Sequence, residues 1–219
     1  MERGFWLDRW RKNLIGFHQG DYNPLLVSHW AALEVPVEAR VFVPLCGKTL
    51  DMRWLSSQGH DVSGIELSSI AAQAFFEEAG EAYELSRHGA FQRYAGDRIE
   101  IFCGDFFELT AAELKNTGGV YDRGALVAMS TDNRSRYVDH LLRVIPEGAR
   151  ILLITLEYDQ KLVSGPPFSV HPDEVGRLYG ERCRITQLSS RVTEQVPPHF
   201  QEQGVTSTGE SIYLIRKEN

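Results

Sequence analysis

The chain has 219 residues and a formal net charge of −7, with 42% hydrophobic and 24% charged residues. This mixture is typical of a soluble globular protein, and the length fits one domain of ordinary size. The acidic balance argues against tight nucleic-acid binding, because that function needs a basic face that displaces counterions.

The first residues, MERGFWLDRWRKNL, are charged from the second position and do not resemble a secretion signal. No apolar stretch reaches the roughly 20 residues that a membrane span needs. The three cysteines, Cys46, Cys103 and Cys183, are far apart and lack the spacing of a zinc site. We therefore expect a cytoplasmic protein without a resident metal or a membrane partner, and a monomer is the default expectation.

Short apolar runs alternate with helical patterns along the chain. The predicted strands lie at residues 39–45, 60–67, 98–107, 119–129 (passing into a helix), 149–158, 183–190 and 210–218. The predicted helices lie at residues 49–59, 68–80, 133–148 and 171–181. This alternation predicts βαβ units with helices on both faces of a mainly parallel sheet. The two late strands predict an antiparallel edge, which gives a doubly wound α/β sheet of seven strands.

An aromatic segment precedes the first predicted strand. Trp6, Trp10, Leu14 and Phe17 are separated by 4, 4 and 3 residues, which predicts one face of a helix. The segment is not needed to build the sheet, so the helix is a candidate lid over a ligand. A helix packed permanently on the sheet edge is the alternative, and the pattern fits both.

The stretch VFVPLCGKTLDM, at residues 41–52, follows the first strand and ends like a phosphate-binding loop. Such a loop needs a first glycine five positions before Gly47, where this chain has Phe42. The dinucleotide pattern of spaced glycines is absent too. A nucleoside ligand without a triphosphate, bound at a turn with a single glycine, remains. We interpret Cys46 as a buried small residue rather than a nucleophile, because no histidine lies near it in sequence.

Glu66 lies about 20 residues after the glycine turn, near the end of the second strand. An acid at this place in a doubly wound sheet binds the hydroxyls of a ribose. The alternatives are a solvated glutamate and a helix-capping partner. The combination with the glycine turn favours the ribose role.

Polar residues also follow the third and fourth strands. Asp105 precedes Phe106 and Phe107, which are placed to bracket an adenine ring, and we expect Phe106 to contact the cofactor. A place for both rings in the core is the alternative. Arg123 follows Asp122 after the fourth strand and is a candidate for binding an anionic group. A simple surface pair between Asp122 and Arg123 fits the spacing equally well.

Several stretches together resemble one known family. RVFVPLCGKTLDMRWLSSQGHDVSGIELS, YDRGALVAM, LEYD and GPPFSV are similar to the thiopurine S-methyltransferase family in its bacterial form. The resemblance covers nearly the whole chain. It implies the class I methyltransferase fold and the cofactor S-adenosylmethionine, which leaves as S-adenosylhomocysteine. It also implies one methyltransferase domain over residues 1–219, with a helical lid at 1–37 and a Rossmann-like core at 38–219.

The resemblance carries site residues over by position. Trp10, Leu45, Glu66 and Arg123 match the positions that contact the cofactor in the family. Phe17 matches an aromatic residue of the substrate pocket, and Arg123 would also face the acceptor. No residue is assigned as a catalytic acid or base, and Arg123 is the candidate for stabilising an anionic acceptor.

The resemblance implies methyl transfer to the sulfur of thiopurines or other aromatic thiols. Mammalian members carry a basic residue in the loop before the last strand, and no arginine of RVTEQVPPHFQEQG aligns with it. Selenium or tellurium compounds are the alternative acceptors, because bacterial relatives are associated with them. A module that binds the nucleoside and transfers nothing is the competing class of protein.

Overall fold

The computed structural model describes residues 3–218, which form one mixed β-sheet with helices on both faces. The strands are β1 Arg40–Val43, β2 Val62–Glu66, β3 Glu84–His88, β4 Phe91–Ala95, β5 Ile99–Cys103, β6 Thr117–Arg123, β7 Arg150–Glu157, β8 Cys183–Thr193 and β9 Thr208–Lys217. The α-helices are α1 Arg3–Arg11, α2 Pro24–His29, α3 Asp51–Ser57, α4 Ser69–Glu77, α5 Ala125–Ala128, α6 Thr131–Val144, α7 Pro172–Tyr179 and α8 Pro198–Gln201. Short 3₁₀ helices lie at Trp30–Leu33 and Phe106–Glu108.

The strands lie in the order β3-β4-β5-β2-β1-β6-β7-β9-β8 across the sheet. The central strands β5, β2, β1, β6 and β7 are parallel to one another, whereas β3, β4, β8 and β9 pair in antiparallel fashion at the two ends. On one side of β1 lie β2 to β5, and on the other side lie β6 to β9, with β3 and β8 at the outer edges. The switch point, where such sheets bind their ligands, therefore lies between the carboxyl ends of β1 and β6.

The predicted doubly wound α/β sheet is confirmed, and every predicted strand is present. The described residues contain two further strands, β3 and β4, whose hairpin extends one end of the sheet to nine strands in total. Most residues of β3 are exposed, so the apolar alternation that identifies a strand is weak there. Phe91 and Tyr94 of β4 are buried and fix this hairpin on the core.

Two hydrophobic cores lie on opposite faces of the sheet. Val41 and Val43 face the core beneath α2, α3 and α4, whereas Phe42 faces the core beneath α5, α6 and α7. Successive strand residues point to opposite faces, so a strand that is apolar at every position has both faces covered. The run ILLITL in β7 follows this rule, with Ile151 on one face and Leu152 on the other.

The N-terminal helix is shorter than its sequence pattern predicts. Helix α1 ends at Arg11, and Asn13 adopts a left-handed backbone with φ of 52°. The prediction of one helical face from Trp6 to Phe17 is therefore wrong at its second half, and Leu14 is half exposed. Within residues 3–218, no helix has the length and apolar character to cross a lipid bilayer.

Candidate functional site

A cavity of about 1180 Å³ opens at the carboxyl ends of the central strands. The ends of four parallel strands reach it through Val43, Glu66, Arg123 and Ile154. This is the place where doubly wound sheets bind ligands. Pockets for one small ligand usually measure about 300–1000 Å³, so this cavity is larger than one small ligand needs.

The turn after β1 is unusually tight. Leu45 and Gly47 both adopt left-handed backbones, with φ of 47° and 54°. The amide of Cys46 donates a hydrogen bond to the carbonyl of Ile65 at 3.0 Å, which ties the turn to β2. A non-glycine residue with positive φ, such as Leu45, is strained and often marks a functional site. The predicted one-glycine turn thus lies on the cavity wall.

Cys46 fills space beneath this turn. Its thiol is buried, and a Cβ atom added to Gly64 would lie only 2.6 Å from its sulfur. Burial raises the pKa of the Cys46 thiol well above its usual value. A thiolate nucleophile is therefore disfavoured, and the structure supports the interpretation of Cys46 as a packing residue.

Glu66 is buried at the end of β2 with its carboxyl group at the cavity wall. One carboxyl oxygen accepts a hydrogen bond from the amide of Gly47 at 2.9 Å, and the other accepts one from Ser68 at 2.8 Å. Burial raises the pKa of Glu66 to about 7, although both backbone hydrogen bonds oppose the shift. A solvated glutamate is excluded, and part of the carboxylate's capacity to accept hydrogen bonds is left for a ligand.

Asp122 and Arg123 point in different directions. The carboxylate of Asp122 is buried and accepts hydrogen bonds from the hydroxyl of Tyr137 at 2.7 Å and the amide of Leu126 at 3.1 Å. Burial raises the pKa of Asp122 to about 6. Arg123 instead lines the cavity, with Nη1 3.5 Å from the carbonyl oxygen of Phe17. The alternative of a surface pair between these two neighbours is therefore excluded.

Aromatic side chains of the N-terminal segment cover the cavity. The rings of Trp6 and Trp10 each lie 5.6 Å from the ring of Phe17, in edge-to-face geometry. All three line the cavity. A Cβ atom on Gly47 would lie 3.1 Å from the Trp10 ring, so the absence of a side chain lets Trp10 approach the turn. The structure thus brings Trp10, Phe17 and the glycine turn together.

Phe106, predicted as a cofactor contact, lies in the core. Its ring is 1% exposed and packs 5.0 Å from the rings of Tyr137 and His140. Phe106 is outside the cavity lining, so the core alternative fits it better. Asp105 forms an ion pair with Arg3 at 3.1 Å, which connects the end of β5 to α1.

One wall of the cavity contains none of the residues that the sequence assigned to the site. It is formed by Pro166 and Pro167, by Arg191 of β8, by His199 and by Glu210 of β9. The sequence signal that could have found this wall is the stretch GPPF, which is one of the stretches that resemble the known family. Arg191 and Glu210 meet only because β8 and β9 pair in register, which spacing along the chain does not reveal.

In the part of the chain that the structure describes, no group of three or more histidine, cysteine, aspartate or glutamate side chains is placed to hold a metal ion.

Comparison with known proteins identifies the family. The sequence model of the thiopurine S-methyltransferase family matches residues 1–218. The chain belongs to this family. A thiopurine S-methyltransferase of Xanthomonas axonopodis pv. citri is 45% identical over 217 residues, which cover 99% of this chain and 100% of the relative. One from Marinobacter nauticus is 44% identical over 219 residues, with 100% of both chains covered.

Solved structures show the same fold at low sequence identity. A 1,6-didemethyltoxoflavin-N1-methyltransferase of Burkholderia thailandensis, solved with bound 1,6-didemethyltoxoflavin and S-adenosylhomocysteine, matches with a TM-score of 0.66 at 17% identity. The match covers 99% of this chain and 87% of that one. A SAM-dependent methyltransferase of Anabaena variabilis also has a TM-score of 0.66, at 13% identity, over 99% and 95% of the two chains.

These comparisons confirm the family that the sequence motifs predict. This member of the thiopurine S-methyltransferase family has the class I methyltransferase fold. It is an S-adenosylmethionine-dependent methyltransferase, so the predicted enzyme class and cofactor are confirmed as well.

Proposed function

We propose that the chain transfers the methyl group of S-adenosylmethionine to the sulfur of thiopurines and related aromatic thiols. The observation that carries this proposal is the convergence of Leu45, Glu66, Arg123 and Phe17 on one cavity large enough for donor and acceptor. The names of the relatives support thiopurine acceptors. They give no support to selenium or tellurium compounds as the main acceptors.

The cofactor half of the cavity is assigned to Trp10, Leu45, Glu66 and Arg123. Glu66 accepts ribose hydroxyls, because its carboxylate is fixed by two backbone amides and still has capacity to accept hydrogen bonds. Leu45 and Trp10 provide apolar contacts on either side of the turn. When bound, S-adenosylmethionine supplies a methyl group already activated by its sulfonium charge.

The acceptor half is assigned to Phe17 and to the wall that contains Pro166, Pro167 and Phe200. Apolar and aromatic surfaces of this kind suit a flat aromatic ring. Arg123 supplies positive charge beside Phe17 and favours the anionic form of an acceptor.

No strong catalytic acid or base is assigned among these residues. Aromatic thiols lose their proton more readily than a cysteine thiol, whose pKa is about 8.5, so the acceptor reaches its reactive form without one. The residues of the cavity align the acceptor sulfur with the methyl group and exclude water. Proximity and orientation then supply most of the rate enhancement.

In this proposal the lid on the methyltransferase core consists of residues 3–20. The predicted bounds of 1–37 for the lid and 38–219 for the core are corrected, because Leu26, Trp30 and Leu33 are buried in the core beneath α2, α3 and α4. Support comes from Trp6, Trp10 and Phe17, which line the cavity from the N-terminal side. A cytoplasmic location and a monomeric state stay predictions from the sequence.

The decisive experiment uses S-adenosylmethionine labelled in its methyl group. The protein is incubated with a thiopurine, benzenethiol, selenite and tellurite in separate reactions, and labelled products are counted against reactions without protein. We expect label on the two sulfur acceptors. Transfer to selenium or tellurium alone would contradict the acceptor class. Cofactor binding with no transfer to any acceptor would indicate a nucleoside-binding module.

A further inference from the structure

A cross-strand ion pair faces the acceptor half of the cavity. Arg191 of β8 lies directly opposite Glu210 of β9 in the antiparallel register, and both side chains line the cavity. The guanidinium donates hydrogen bonds from Nε at 2.9 Å and from Nη2 at 2.5 Å to a single carboxylate oxygen, Oε2. The pair is partly exposed, with 55% of the Arg191 side chain and 28% of the Glu210 side chain accessible.

The pair lies in the acceptor wall rather than in the cofactor half. Glu210 is opposite Leu156 of β7, another residue of the cavity lining. Arg191 and Val192 come from the strand next to it. The cofactor residues Leu45 and Glu66 belong to the turn after β1 and the end of β2, several strands away in the sheet.

Resting on the proposed function, we propose that this ion pair selects acceptors by charge. Glu210 neutralises Arg191, so the wall presents no net charge to the ring of an acceptor. Aromatic thiols without a charged ring substituent are therefore preferred to aromatic thiols that carry a ring carboxylate. Arg191 and Glu210 are specificity-determining residues, and neither takes part in methyl transfer itself.

Arg191 and Glu210 have opposite effects on an acceptor that carries a ring carboxylate. A carboxylated acceptor that binds Arg191 beside Glu210 brings a second negative group close to the Glu210 carboxylate, and the two repel one another across the cavity. Without Glu210, the guanidinium is available for a bidentate contact with the acceptor carboxylate. Without Arg191, the carboxylate of Glu210 repels the same acceptor. The two single substitutions therefore act in opposite directions.

The test compares 4-mercaptobenzoate with benzenethiol, which differ by one carboxylate. For Glu210→Gln, we expect the ratio of their kcat/KM values to shift about fivefold toward 4-mercaptobenzoate, the size typical of a partly exposed charge pair. Arg191→Gln shifts the ratio in the opposite direction, and the double variant returns near the original ratio. The shifts shrink at high salt, because the screening length falls from about 10 Å at 0.1 M to about 3 Å at 1 M.

Matched controls come from another ion pair. Arg182 and Asp139 pair at 2.6 Å with 45% of each side chain exposed, and both lie outside the cavity lining. Arg182→Gln and Asp139→Asn are expected to leave the acceptor ratio unchanged. Circular dichroism of every variant confirms that the fold is kept.

Binding is measured in parallel, by calorimetric titration of each acceptor into protein saturated with S-adenosylhomocysteine. Equal ratios in all variants, or a shift in the same direction for both single variants, would overturn the role of the pair. If no variant transfers methyl groups but the affinity ratios shift as expected, the proposed reaction is contradicted and the charge selection is supported.

Discussion

At the scale of single residues, two buried acids of the site region have different tasks. Glu66 faces the cavity, whereas Asp122 turns inward and accepts hydrogen bonds from Tyr137 and the amide of Leu126. By holding the first turn of α5, Asp122 fixes the backbone from which Arg123 reaches the cavity. Burial raises the pKa of both acids, so burial alone does not distinguish a ligand-binding acid from a positioning one.

The raised pKa of Glu66 predicts a pH-dependent affinity for the cofactor product. The ionised carboxylate is the better acceptor for ribose hydroxyls, and it is lost as the pH falls through about 7. We expect affinity for S-adenosylhomocysteine to fall between pH 8 and pH 6. Glu66→Gln should weaken binding at pH 8 by roughly tenfold or more and remove this pH dependence. Calorimetric titration over this pH range measures both effects, and an unchanged affinity would contradict the ribose role.

The raised pKa of Glu66 affects the stability of the cofactor-free protein in the opposite direction, because it favours the folded state at low pH. Because the folded-state pKa of Glu66 lies above its usual value of 4.5, the folded chain binds the proton more tightly than the unfolded chain. Its contribution to stability is complete below pH 4.5 and is lost as the pH rises toward 7. Glutamine does not titrate, so the free energy of unfolding of Glu66→Gln is expected to lack this dependence on pH. The variant is therefore the control for the contribution of Glu66.

Arg123 allows a direct test of the charge that faces the acceptor. Arg123→Ala removes a cation from the cavity without emptying a core position, since the residue is only partly buried. We expect kcat/KM for an aromatic thiol to fall by roughly tenfold to a hundredfold, the range for losing a hydrogen bond to a charged group. The midpoint of thermal unfolding should change little. Arg182→Ala, outside the cavity, is the control, and unchanged activity of Arg123→Ala would refute the assignment.

At the scale of elements, the N-terminal segment is the candidate for movement. Two of its contacts with the rest of the chain are the ion pair of Arg3 with Asp105 and the packing of the Trp10 ring above Gly47. Both contacts adjoin the carboxyl ends of the strands, where the cofactor half of the cavity lies. Occupancy of that half is therefore expected to determine how firmly α1 is held.

Limited proteolysis tests this lid. Cleavage within residues 3–20 is expected to slow when S-adenosylhomocysteine is added, because the ligand fills the space beneath Trp10. Trp10→Ala should reduce the protection while cleavage elsewhere stays the same. Peptide mapping by mass spectrometry identifies the cut sites. Equal cleavage with and without ligand would indicate that the helix is packed permanently.

The opposite wall is fixed by a buried arginine. Arg134 of α6 is 1% exposed and donates hydrogen bonds to the carbonyls of Met129 and Ser169 and to the carboxylate of Glu174. It thereby joins the end of α5 and the start of α7 to the segment that carries Pro166 and Pro167. Three charge-assisted hydrogen bonds in a buried position make this wall the rigid partner of the N-terminal segment.

At the scale of the whole molecule, the residues that serve function and those that serve stability lie at opposite ends of the strands. The carboxyl ends of the strands form the cavity, whereas the amino ends hold a buried ionic cluster. Glu100 of β5 accepts hydrogen bonds from Arg40 at 2.7 Å, Arg93 at 2.6 Å and Ser63 at 2.8 Å. The cluster joins β1, β2, β4 and β5.

Glu100→Gln tests this division. The substitution leaves two partly buried arginines without their counter-charge, so we expect the free energy of unfolding to fall by about 2 kcal/mol, less than for a completely buried pair. Affinity for S-adenosylhomocysteine should be unchanged, because no residue of the cluster lines the cavity. Urea denaturation and calorimetric titration measure the two quantities, and a loss of affinity in the folded variant would contradict the division.

The sequence predicted the central sheet well for a physical reason. Strands such as β7 are apolar on both faces, and Gly59 and Gly80 end the helices between them. It also placed Glu66 and Arg123 at the right ends of their strands, because topology assigns those ends to the ligand.

The remaining features depend on distant parts of the chain. Strand β3 exposes most of its side chains, so its apolar pattern is weak. Phe106 follows a strand end like the site residues, yet its ring turns into the core against α6. Arg191 and Glu210 are brought together only by pairing of two strands whose register the sequence does not reveal.

The antiparallel pair of β8 and β9 lets the two halves of the cavity change separately during the evolution of this family. Most of the wall that we propose for the acceptor comes from the last third of the chain, whereas the turn and the carboxylate proposed for the cofactor come from the first third. Mutations that change the range of compounds accepted can therefore accumulate in the last third while the ancestral donor chemistry is inherited intact. New acceptor preferences can arise in a lineage by small inherited steps, each leaving a working enzyme.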